Sequence, residues 1–304
     1  GVGLLIICAF IPYRLWEKCA WALLGLSVIG LVAVVLPWTE SIAPEINGAR
    51  RWLRIGFTIQ PSEIAKIAVV VWTAAMAVKK KDHFKSLRQG LGPFLLVWGV
   101  VILLVILEPD LSTALVIGSL GALIVFAAGA RLSHFILLAA MGAPLMWRQF
   151  AVGFRAERIQ AFLNPASDPA GAGYQVHQSL VALGSGGLSG VGIGEGRQKF
   201  GFLPEAHNDF IFAMIGEEWG FLGVLFVVVL YTLIVLVGFR IASRAPDAFG
   251  ELLAIGCSSL IALQAILHMA VGLALAPPTG LSLPLVSFGR SNLIMTLVAL
   301  GILI

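Results

Sequence analysis

Apolar stretches free of Asp, Glu, Lys and Arg follow one another along almost the whole chain, at residues 19–39, 89–107, 111–130, 132–147, 219–239 and 252–289. Each is about as long as a helix needs to cross a bilayer, and the last has room for one span plus a re-entrant loop. Shorter runs at 1–13, 67–78 and 291–304 bring the expected number of spans to about nine. The runs lack the two-residue alternation of barrel strands, so the pattern predicts an all-α, polytopic transmembrane helix bundle. The whole chain, 1–304, reads as a single integral membrane domain.

Composition agrees. Hydrophobic residues make up 59% of the chain and charged residues only 12%, where a soluble domain carries about a quarter. Nothing suggests a nucleic-acid partner. No basic n-region with a cleavage site precedes the first span, so no secretory leader is expected. Cys8, Cys19 and Cys257 lie in or beside apolar runs without metal-ligand spacing and read as small buried hydrophobes.

If every span crosses, one face collects Arg14, Lys18, Lys79, Lys80, Lys81, Lys85, Arg88, Arg131, Arg240 and Arg244, which makes it the cytoplasmic face. The other carries residues 40–60, the tiny EPDLS link, a large extracellular loop between Arg148 and His207 (148–208 with its flank), and residues 277–289. This outer face also holds Arg50, Arg51, Arg54, Arg148, Arg155, Arg158, Arg197, Lys199 and Arg290. Such a collection is unexpected on a translocated surface, and guanidinium groups chelate phosphate oxygens in pairs, so an anionic ligand at the outer leaflet is the expectation. Mere tolerance of charge in long loops is the alternative. Within the loop, Arg155 and Arg158 of RAERIQAFLNP share a helical face, and YQVHQSLVAL is amphipathic. The following GSGGLSGVGIGEGRQKFG has eight glycines and lacks the dinucleotide fingerprint; a hinge and a phosphate cradle both fit it.

Polar residues then enter the apolar pattern at FLPEAHNDFIFAMIGEE, 202–218. Glu205 and Asp209 are four apart, with His207 and Asn208 between them, at the mouth of a span. Helix capping accounts for one acid there but not for the cluster, and a carboxylate at the water–lipid boundary is well placed to act as a general base. Glu217 and Glu218 lie about two turns deeper. Glu63 and Lys66, three apart, read as a buried ion pair and as candidate partners for them; a structural or conformational role is expected for all four. Asp110 reads as a helix cap, with a second role in orienting substrate or an ion as the alternative. His268, inside an apolar span, reads as a hydrogen-bonded packing residue.

Four stretches together resemble the SEDS family of shape, elongation, division and sporulation proteins, which includes RodA and FtsW. They are NGARRWLRIGFTIQPSEIAK (47–66), EPDLSTALV (108–116), the run from 173 to 220 ending in FLPEAHNDFIFAMIGEEWG, and LPLVSFGRSNL (283–293). The resemblance implies a ten-helix fold whose first helix precedes this chain, and a peptidoglycan glycosyltransferase that polymerises lipid II at the outer face of the bacterial cytoplasmic membrane, among membrane lipids. It places the family's catalytic Asp on Asp209, with Glu205 and His207 as motif neighbours, and its Arg pair on Arg50 and Arg51. It also implies a class B penicillin-binding protein as partner. One departure is Arg290, where the family has the second glycine of S-Y/F-G-G-S.

The residues and the resemblance suggest one chemistry: Asp209 as base, undecaprenyl diphosphate as leaving group, and Arg50, Arg51, Arg155, Arg158, Arg197 and Lys199 as candidate diphosphate contacts. A divalent cation, Mg²⁺ or Mn²⁺, is the candidate cofactor, with its ligands unassigned. Direct displacement on an α-linked donor gives a β-linked, inverted product. A lipid II flippase and a scaffold that activates the penicillin-binding protein are the alternatives.

Overall fold

The structure is a computed structural model that describes residues 1–45, 49–84, 86–150, 153–164 and 171–304. Asn47 and Gly48 of the N-G-A-R-R stretch and Lys85 of the basic loop lie outside the described residues. The regular secondary structure of the described residues is helical except for one small hairpin, and the chain divides into two compact units. Among the described residues, five helices are long and apolar enough to span a membrane, and two more are apolar but shorter. This is a multi-pass membrane protein. The expected nine spans would also require α1 (Val2–Phe10) and α6 (Leu132–Phe150), of 9 and 19 residues.

The first unit comprises Gly1–Phe135, Ile234–Ile261 and Arg290–Ile304. Its hub is α3 (Pro61–Lys80), against which α2 (Tyr13–Val35), α5 (Leu111–Ala127) and α11 (Arg290–Leu303) pack; α4 (Gly92–Leu107) lies mainly on α5. α3 starts with Pro at its first position and Glu63 in the first turn, and ends with Lys79 and Lys80, an arrangement that suits the helix dipole at both ends. It is buried on almost all sides, so its two inner charges need partners. Lys66 Nζ lies 2.8 Å from Glu63 Oε1, and Asn292 Nδ2 donates to Glu63 Oε2 at 3.3 Å. On the side read as cytoplasmic, Asp247 accepts the Tyr13 hydroxyl at 2.8 Å and the Gly250 N–H at 2.8 Å. That N–H, then Tyr13 and Arg14, hold its carboxyl below the usual range.

At the opposite ends of these helices the chain forms a two-stranded antiparallel hairpin, β1 (Leu53–Ile55) and β2 (Phe57–Ile59), which turns at Gly56 with φ 73°. Beside it, the α4–α5 link is held by its polar groups. Asp110 caps α5, accepting the Thr113 N–H at 3.0 Å and the Thr113 hydroxyl at 2.8 Å. Glu108 is 1% exposed, and neither carboxyl oxygen has a hydrogen-bond partner among the described residues. Burial, reinforced by Asp110 and opposed by Arg51, pushes this carboxyl up to about 9.

Because that value exceeds the ordinary 4.5, folding favours the protonated form. The stabilisation is complete below pH 4.5 and is lost as pH rises through about 9. Glu108→Gln, which mimics the neutral acid, is therefore expected to match wild type near pH 5 and to exceed it at pH 8 by on the order of 3 kcal/mol. Unfolding in detergent at the two pH values measures this, and a pH-independent difference would refute it.

The second unit comprises Ile136–Leu233 and Ala262–Gly289. Here the loop expected between Arg148 and His207 turns out to carry two helices, α7 (Gly153–Leu163) and α8 (Ala172–Gly186), which pack on each other. α8 buries Val176, Ser179 and Ala182 on one face, and Ser179 Oγ donates to the Gly272 carbonyl at the end of α10 (Ala248–Gly272). The long α9 (Ile211–Ala242) begins in this unit and is interrupted at Gly220, whose φ of 66° is non-helical.

Candidate active site

Asp209 sits on a turn that leads into α9. The turn is anchored by Leu203, Ala206 and Phe210, spaced three and four apart, which are buried in one cluster with Met214 and Val271. That spacing turns the intervening polar residues outward: Glu205 and His207 are exposed, Asn208 and Asp209 half-buried. The Glu205 carbonyl accepts the N–H groups of Asn208 and Asp209, each at 3.0 Å, and Glu205 itself has φ 51°, an uncommon conformation for a residue with a side chain.

The stretch after α10, residues 276–289, folds back over this turn. Ser282 Oγ donates to Asn208 Oδ1 at 3.0 Å, Ser287 Oγ to the Asn208 carbonyl at 2.7 Å, and the Phe288 N–H to the His207 carbonyl at 3.2 Å. Gly280 lies against Asp209, since a Cβ placed there would be 3.9 Å from Oδ2. Arg158, on α7, points Nη1 at the Pro278 carbonyl, 3.5 Å away, and Arg155 donates to the Gln149 side chain. Arg158 and Asp209 are thus linked to the same short segment.

The glycine-rich run packs against the interruption in α9. The break at Gly220 deprives backbone groups on both sides of it of helical partners, and the loop supplies replacements. Val191 and Gly192 donate to the carbonyls of Glu217 and Glu218 at 3.0 and 3.1 Å; Phe221 and Leu222 donate to those of Gly187 and Leu188 at 2.9 and 3.2 Å. The glycines permit this close approach, for a Cβ on Gly190 would stand 2.1 Å from the Glu218 carbonyl oxygen. The two Glu side chains complete the clamp. Glu217 accepts the Arg197 N–H at 2.9 Å and that of Gln198; Glu218 accepts the Gly194 N–H at 3.0 Å and pairs with Lys199 at 2.8 Å. The expected partnership of these acids with Glu63 and Lys66 gives way to this one, because the interrupted helix needs donors locally. Gly190→Ala, with φ 81° against it as well, is expected to cost about 2–3 kcal/mol and to open the loop to protease; an unchanged cleavage rate would contradict the clamp.

Arg50 and Arg51 belong to the first unit. Arg50 donates to the carbonyls of Leu36 and Ala43 at 2.9 and 3.2 Å, and Arg51 to those of Glu108 and Pro109 at 2.9 and 2.7 Å. Arg155, Arg158, Arg197, Lys199, Glu205, His207 and Asp209 thus belong to the second unit, and Arg50, Arg51, Glu63, Lys66 and Asp110 to the first. Among the described residues no three His, Cys, Asp or Glu side chains come together as metal ligands.

All 304 residues match the family model of the FtsW/RodA/SpoVE cell cycle proteins. The chain belongs to this family. Its relatives include the probable peptidoglycan glycosyltransferase FtsW of Trichlorobacter lovleyi, 42% identical over 97% of this chain and 77% of that protein. Stage V sporulation protein E of Bacillus subtilis is 37% identical over 100% and 83%. Among solved structures, a chain from a peptidoglycan synthase complex in which polymerization and crosslinking are coordinated superimposes with a TM-score of 0.80, at 29% identity over 99% of this chain and 85% of that one. The rod shape determining protein RodA of Thermus thermophilus gives 0.66, at 28% identity over 99% and 83%.

In this family member, reading the sequence missed Ser282, Ser287 and Gly280 as neighbours of the Asp209 turn. The available signal was weak: a Pro- and Ser-bearing stretch inside an over-long apolar run, which suggested re-entry but not where the stretch would land.

Proposed function

We propose that Asp209 is the general base with which this chain, a peptidoglycan glycosyltransferase, polymerises lipid II at the outer face of the bacterial cytoplasmic membrane. The observation that carries the reading is the Asp209 turn: a half-buried acidic residue on a turn held by backbone hydrogen bonds and an apolar anchor, with the 276–289 segment laid over it. The sugar 4-hydroxyl of one lipid-linked disaccharide gives its proton to Asp209 as it attacks the anomeric carbon of the second. The bond to the diphosphate breaks and the electron pair leaves with undecaprenyl diphosphate. That leaving group departs already ionised, so a second carboxylate acting as acid is not required, in contrast to ordinary glycoside hydrolysis.

Arg155 and Arg158 on α7 and the exposed Arg197 supply positive charge for the departing diphosphate within the same unit. Mg²⁺ or Mn²⁺ is given no role in this scheme, because among the described residues no three His, Cys, Asp or Glu side chains come together to hold it. A class B penicillin-binding protein, which crosslinks the new strand, is the partner that fits. The test is the wild-type chain with that partner, reconstituted in vesicles with labelled lipid II on both leaflets. Glycan longer than the starting disaccharide supports the polymerase; label that crosses the bilayer without lengthening makes the protein a flippase, and neither result makes it a scaffold.

A further inference from the structure

The 276–289 segment has no regular structure, yet most of it is fixed by side chains of its own unit. The Tyr231 hydroxyl donates to the Pro284 carbonyl, and Ser287 Oγ accepts the Leu283 N–H. Closer to Asp209, at Gly280–Leu281, the anchor from α10 is His268, whose Nδ1 lies 2.8 Å from the Leu281 carbonyl oxygen.

His268 is 1% exposed in a largely apolar stretch of α10. A carbonyl oxygen can only accept, so Nδ1 carries the proton and, in the neutral ring, Nε2 is a bare acceptor. Nε2 has no hydrogen-bond partner among the described residues, and Gln264, one turn earlier on the same helix face, is likewise buried with its Nε2 unpartnered among them. Burying a half-satisfied imidazole is costly, and an aliphatic side chain would fill the same space without that cost. The bond to Leu281 is what the imidazole adds over simple packing.

We propose that His268 is a positioning residue, which holds the Gly280–Leu281 backbone against Asp209 and thereby sets the direction of the base carboxylate. The proposal rests on Asp209 being the base. Small displacements of a catalytic group cost rate far more than they cost substrate binding, which gives the idea a specific signature.

The experiment uses the full chain with its penicillin-binding protein made transpeptidase-dead, and measures glycan synthesis from labelled lipid II together with the thermal midpoint. His268→Leu is expected to lower kcat about tenfold or more, with KM changed less than about twofold and the midpoint close to wild type. His268→Asn places an N–H donor near the Nδ1 position and is expected to recover to within about threefold of wild type. His268→Gln keeps the polarity but moves the donor to the Nε2 position, and is expected to fold and to remain as slow as the Leu variant.

Asp209→Asn is run alongside. If that variant is dead while His268→Leu turns over normally, the base stands and the positioning role falls. Equal activity of the Asn and Gln variants, or rate losses that simply follow the midpoints, would also overturn the role. An active Asp209→Asn removes the base, and this proposal with it.

Discussion

Asp209→Asn is expected to lose glycan polymerisation by about 10²–10⁴-fold in kcat, with KM for lipid II nearly unchanged. Asn has nearly the shape of Asp and keeps an oxygen, but it cannot take up the hydroxyl proton. Leu203, Ala206 and Phe210 anchor the turn through apolar contacts, and its backbone bonds come from Glu205, Asn208 and Ser287. Thermal midpoints of the two proteins should therefore agree within a few degrees. A variant that kept full turnover would remove Asp209 from the chemistry, and one that failed to fold would show that the carboxylate also supports the turn.

Lys66→Met is expected to have the largest effect on stability. Lys66 and Glu63 are 1% and 7% exposed on the most buried helix of the first unit. Removing the ammonium leaves a carboxylate in an apolar interior with, among the described residues, Asn292 as its remaining side-chain donor, a change that costs about 3–5 kcal/mol in comparable buried pairs. The pair as a whole is worth far less than that penalty. Glu63→Gln/Lys66→Met should therefore recover most of the loss, and the thermodynamic cycle should show strong coupling. Additive losses in detergent unfolding would mean that the two charges are solvated separately.

What the sequence made legible follows from local physics. An uninterrupted apolar run has few alternatives to a spanning helix, so α2, α4, α9 and α10 were predictable from length alone. The Glu63–Lys66 pair was visible because three-residue spacing on a helix brings side chains together whatever else surrounds them. Asp110 as a cap was visible for the same local reason. α7 and α8 were harder to see because their charges and glycines interrupt the apolar signal that betrays a span.

Long-range partners were not legible. Glu217 and Glu218 read as deep charges in search of a cation, but the break at Gly220 turned them toward backbone N–H groups some twenty residues earlier in the chain. Arg50 and Arg51 read as an anion site because guanidinium suits phosphate; it suits other oxygens equally well, and here Arg50 meets the Leu36 and Ala43 carbonyls, the Thr39 hydroxyl and the Glu40 carboxylate, and Arg51 the Glu108 and Pro109 carbonyls. The landing place of 276–289 depended on two serines whose spacing carries no periodic signal.

We propose that one carboxylate, Asp209, drives strand polymerisation. The most direct test is the length distribution of glycan made from labelled lipid II by the purified protein with a transpeptidase-dead penicillin-binding protein, comparing wild type with a folded Asp209→Asn. The account predicts long strands from wild type and unreacted lipid II from the variant. Strands of equal length and yield from both would contradict it.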